Sequence, residues 1–85
     1  MKQRIRVNEV GPGMFSTERF VMFEINEKTY SLFVDASSLN GYYLEVDVLA
    51  QDKDKAFIEL PREAINEGMR LQIPIALLSA QCANR

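Results

Sequence analysis

Between Glu18 and Asp35 apolar and polar residues alternate in two runs separated by the polar stretch Asn26-Glu27-Lys28. Val21, Phe23 and Ile25 fall on one face of the first run, and Tyr30, Leu32 and Val34 on one face of the second, as a period of two requires of half-buried strands. The pattern predicts a β-hairpin, and loop parity fixes its geometry. A two-residue loop at Asn26-Glu27 or Glu27-Lys28 brings the two apolar sets to the same side, whereas a three-residue loop sends them to opposite sides. The even loop is therefore expected. The other face carries Phe20, Met22 and Phe33 among Glu24, Thr29 and Ser31, too apolar to be left wholly in water.

The same alternation places further strands on either side of this hairpin. Lys2 to Val10 reads as a first strand, with Ile5 and Val7 inward and Arg4, Arg6 and Asn8 outward, ended by Gly11-Pro12-Gly13 and the loop Met14 to Thr17. Tyr42 to Gln51 sets Leu44, Val46, Val48 and Ala50 against Glu45 and Asp47. Asn40-Gly41 is a tight-turn signal, but a two-residue turn there pairs Val34 with Asp47 and breaks the apolar register. A bulge, a longer loop or strands that are not neighbours would resolve the conflict, and the longer loop is the favoured expectation. The turn Asp52 to Lys55 leads into Ala56 to Leu60, with Val48 opposite Ile58. Pro61 at a first helical position, Glu63 in the first turn and Gly68 as a terminator predict a short helical turn. Met69 to Ile73 forms the last strand. Ile75 to Ala80 reads as a 3₁₀ turn, a helix or an edge extension.

Six short strands with polar turns and one helical turn before the last strand predict an all-β (mainly β) fold. The expected architecture is a small six-stranded antiparallel barrel or half-open barrel, SH3-like by fold-level analogy. No family motif occurs. The 85 residues, 47% of them apolar, make one domain over 1–80 with a flexible tail at 81–85. The net charge of −2 argues against a general phosphate-binding surface. The single Cys82 excludes an intramolecular disulfide and fits a reducing compartment. With no apolar run long enough to span a bilayer and no signal-peptide core, a cytoplasmic protein without a membrane partner is expected.

With no histidine and one tail cysteine, the usual general base, nucleophile dyads and zinc or haem ligand sets are missing. No enzyme, metal, cofactor or small-molecule substrate is expected. Asp52 to Glu63 has acidic residues at the first, third and twelfth positions of a calcium loop, but Phe57 replaces the turn glycine and the segment reads as strand. Glu45 and Asp47 are a surface pair, and Gly11-Pro12-Gly13 lacks the donors of a phosphate cradle. The main expectation is a non-catalytic module that binds a protein partner or forms a homo-oligomer through Phe20, Met22 and Phe33. Phe57 is a further candidate for that face, and Tyr42 and Tyr43 are placed near its rim. Burial of the three under Met14 to Thr17 or Ile75 to Leu78 is the competing outcome. The alternative is an RNA- or ribosome-associated barrel, in which Lys2, Arg4 and Arg6 form a basic platform with exposed aromatic rings for a single-stranded nucleic acid.

Overall fold

The structure, a computed structural model, describes residues 2–65 and 68–78. The described residues are mainly β, with eight strands: β1 (Lys2–Arg6), β2 (Glu9–Pro12), β3 (Glu18–Ile25), β4 (Lys28–Asp35), β5 (Leu39–Asn40), β6 (Tyr43–Gln51), β7 (Lys55–Ala64) and β8 (Gly68–Pro74). They form two antiparallel sheets, one ordered β2-β3-β4 and the other β1-β6-β7-β8 with β5 also on β6. Strands β3 and β4 are the expected hairpin. Ile25 pairs with Lys28 across the two-residue turn Asn26-Glu27, and both turn residues have positive φ, 52° and 71°. That is the φ signature of a type I′ turn, whose twist matches its strands. Val21, Phe23, Ile25, Leu32 and Val34 are buried, while Tyr30 is half-buried and stacks on Phe23 at 5.4 Å.

The differences from expectation lie where the chain passes between sheets. The first strand is two: β1 pairs with β6, and after a corner at Val7-Asn8 β2 pairs with β3. At this corner Val7 N–H donates to Tyr42 O and Asn8 N–H to Met22 O, both at 2.8 Å. The apolar phase changes there, from odd positions at Ile5 and Val7 to the even Val10. Likewise, β4 and β6 are not neighbours, which removes the register conflict. A 3₁₀ turn at Ala36–Ser38 and the short β5 lie between them, and the tight turn is Gly41-Tyr42, with Gly41 at φ +64°.

In β6 the inward set holds for Leu44, Val46 and Val48, and Val48 faces Ile58. A register shift between Val48 and Ala50 then leaves Ala50 exposed, as expected of a bulge that inserts one extra residue. The helical turn expected from Pro61 is absent over the described residues: Pro61 to Ala64 continue β7. Proline suits this site because the β7–β8 register is interrupted between Glu59 and Ala64, where no ladder donor is needed. The end of β7 instead runs beside β4, where Ile65 N–H donates to Ser31 O at 2.7 Å. Asn66 and Glu67 of that predicted helix, and the predicted tail with Cys82, lie outside the described residues.

Both sheets contribute to one apolar cluster that runs from Ile5 and Val7 through Phe23 and Leu32 to Ile58 and Ile73. Beyond β8, Ile75–Leu77 is a 3₁₀ turn, and Leu78 forms an isolated bridge to Ile5 on β1. Among the described residues the strands do not close into a barrel, and no helix is long and apolar enough to cross a membrane.

Candidate functional site

Register puts Phe20 opposite Phe33 and Met22 opposite Ser31, so the three predicted side chains share the outer face of the β3–β4 hairpin. All three are half-buried. Phe20 and Phe33 meet edge to face, with centroids 5.4 Å apart and planes at 62°, an arrangement worth about 0.5–1.5 kcal/mol beyond its buried area. Neither expected cover lies over them. Met14 and Phe15 are 78% and 67% exposed, and Leu78 packs against β1. Part of the cover comes from the end of β7 and the start of β8: Pro61, Arg62, Glu63, Ile65 and Met69 line a shallow groove together with Phe33. Ile65 is 51% exposed there. Of these groove residues, Pro61, Arg62, Glu63 and Ile65 belong to the segment that sequence alone reads as helical. The available signal was Ile65 falling out of phase with the buried Leu60 and Ala64.

At one end of the groove sits a polar clamp. Glu18 is a buried acidic residue with an 11% exposed side chain. Its Oε2 accepts from Arg62 Nη1 at 2.9 Å and its Oε1 from Met14 N–H at 3.3 Å. Arg62 Nη2 also lies 3.4 Å from Asp35 Oδ1. Gly13 N–H donates to Glu18 O, Glu18 N–H to Phe15 O, and Arg19 Nη1 to Ser16 O and Glu18 O. A charge removed from water needs such partners. Their effect is to fix the Met14–Thr17 loop while its two large apolar side chains stand in solvent.

The other predicted residues are placed apart from this face. Phe57, opposite Ala50 and Gln72, is 49% exposed on the other sheet and does not join Phe20. Among the described residues no ring contact links Tyr42 or Tyr43 to Phe20 or Phe33; instead Arg6 lies over both tyrosines, at 5.7 and 6.0 Å from the ring centroids. This combines one of the predicted bases with aromatic rings. The remaining two face acids: Lys2 Nζ is 3.2 Å from Asp47 Oδ2, and Arg4 lies opposite Glu45. Asp52 to Lys55 forms a turn closed by Asp52 N–H to Lys55 O at 2.8 Å. No group of three or more potential metal ligands converges among the described residues. Comparison with known protein families, curated proteins and solved structures finds no match.

Proposed function

We propose that this protein is a non-catalytic interaction module that binds another protein through the outer face of the β3–β4 hairpin. The observation that supports this reading is the half-covered Phe20, Met22 and Phe33 surface, continuous at Phe33 with the groove of Pro61, Ile65 and Met69. Aromatic residues and methionine are enriched in interface cores, and methionine adapts its shape to a partner. The reading uses no metal, cofactor or small-molecule substrate. A half-open, SH3-like barrel is part of the same proposal, supported by the Val7-Asn8 corner, the passage of β7 beside β4 and the Ile5–Leu78 bridge. To test the face, the immobilised protein and its Phe20→Ser plus Phe33→Ser variant are compared for proteins captured from native cells. The expected result is at least one protein retained by the first and lost from the second, with both folded by circular dichroism. Identical captured sets would reject the face.

A second reading rests on Arg6 over Tyr42 and Tyr43, a platform on which bases could stack. It expects salt-dependent binding of short single strands, lost in Arg4→Ala plus Arg6→Ala. The pairing of Lys2 with Asp47 reduces the cationic surface available to it, and an absence of binding at low salt would dismiss it.

A further inference from the structure

We infer that the Met14–Phe15 tip is a preformed anchor whose receptor is the groove of Phe33, Pro61, Ile65 and Met69 on a second copy of this chain, giving a two-fold dimer. The inference rests on the protein-binding reading of the hairpin face and names its partner. Large apolar side chains on a loop ordinarily lower their exposure by folding back, yet Met14 and Phe15 remain 78% and 67% exposed. The loop is prevented from collapsing by Glu18, which bonds both Met14 N–H and Arg62, and by Gly13, where a Cβ would lie 2.5 Å from Glu18 Cβ. Such fixing removes the ordering cost that a flexible loop would incur on binding.

The groove begins at the same arginine, so tip and receptor are adjacent on one surface but do not meet within one chain. A two-fold axis near Arg62 lets each tip enter the other copy's groove, and the contact is made twice. The charges agree with this axis. Arg62 and Asp35 are 45% and 63% exposed at their side chains and only 3.4 Å apart, so with the axis running between them Arg62 faces the second copy's aspartate and Asp35 its arginine, opposite charges in register. A bilayer is the less favoured receptor, because the loop base carries Glu18 and Asp35 beside its arginines and the chain is net acidic.

The test is the mass of the full chain by light scattering over concentrations up to about 1 mM, the scale of a weak association. The expected result is a concentration-dependent dimer, reduced at least tenfold in affinity by Met14→Ser plus Phe15→Ser and likewise by Ile65→Glu. All three sites are surface positions, and circular dichroism verifies folding. Mixing the tip variant with the groove variant restores one intact tip–groove pair, so the mixture must associate more strongly than either variant alone. A wild type that stays monomeric overturns the inference, as does a dimer indifferent to the tip variant. If that dimer is instead lost in Phe20→Ser plus Phe33→Ser, the hairpin-face reading survives while the tip–groove pairing does not. Sedimentation with phosphatidylcholine vesicles that depends on Met14 and Phe15, without dimerisation, would assign the tip to a bilayer and overturn the second-copy receptor.

Discussion

Two glycines separated by one proline have opposite roles. At Gly13 a Cβ would lie 2.5 Å from Glu18 Cβ and under 3 Å from Glu18 backbone atoms, which cannot swing aside as a side-chain end can; at Gly11 it would meet nothing within 4 Å. Gly13→Ala is therefore expected to destabilise by about 1–3 kcal/mol, as overpacking does, and Gly11→Ala to change stability by less than about 0.5 kcal/mol, as surface substitutions do. Urea denaturation of the two variants measures both, and equal effects would contradict the close approach. The Glu18–Arg62 pair lies between two regimes, with one side chain 11% exposed and the other 45%. Arg62→Ala should cost roughly 1–2 kcal/mol, above an exposed pair and below the loss of a fully buried one. A double-mutant cycle with Glu18→Gln isolates the coupling, and a value near zero would mean that water satisfies the carboxylate equally well.

For each element, legibility depended on whether its partner was near in sequence. The β3–β4 hairpin was legible because alternation and turn length determine each other over eighteen residues, and Val21, Phe23, Ile25, Leu32 and Val34 are buried as the pattern requires. The end of β7 was not. Pro61, Glu63 and Gly68 are equally good signals for a helical turn, and what decides for strand is the interrupted β8 register and the Ile65–Ser31 hydrogen bond, which no local window contains. The groove at Phe33 was hidden for the same reason. Even within the legible hairpin the turn is not optimal, since Glu27 has φ of 71°, a left-handed conformation costing a side-chain-bearing residue about 1–2 kcal/mol. Glycine avoids that cost but loses more chain entropy on folding, about 0.5–1 kcal/mol. Glu27→Gly should therefore stabilise by about 0.5–1 kcal/mol and raise the midpoint of thermal unfolding by about 3–6 °C for a domain of this size. An unchanged or lower midpoint would show that Glu27 makes a compensating interaction.

For the whole molecule the question is whether two sheets make two folding units. Among the described residues their backbone hydrogen-bonded links are few: the Val7-Asn8 corner, where donors reach Tyr42 on one side and Met22 on the other, and the Ile65–Ser31 bond at the end of β7. Backbone links alone would allow the hairpin sheet to open by itself, but opening would strip its apolar face of cover and leave it in water. That cover is the other sheet. Phe23, Leu32 and Val34 belong to the same buried cluster as Val46, Ile58 and Ile73, and exposing either half strands the other's apolar surface in water. Truncation at one site must therefore be felt in both sheets. Leu32→Ala and Ile58→Ala are each expected to cost about 2–5 kcal/mol, and each should shift the unfolding of the entire chain. The measurement is a urea titration followed by amide resonances, with Val21 and Leu32 reporting the hairpin sheet and Val46 and Ile58 the other. Coincident midpoints in the wild type, displaced together by Leu32→Ala, are the expected outcome. Separate midpoints, or a displacement confined to the hairpin resonances, would show that the buried cluster does not bind the sheets into one cooperative unit.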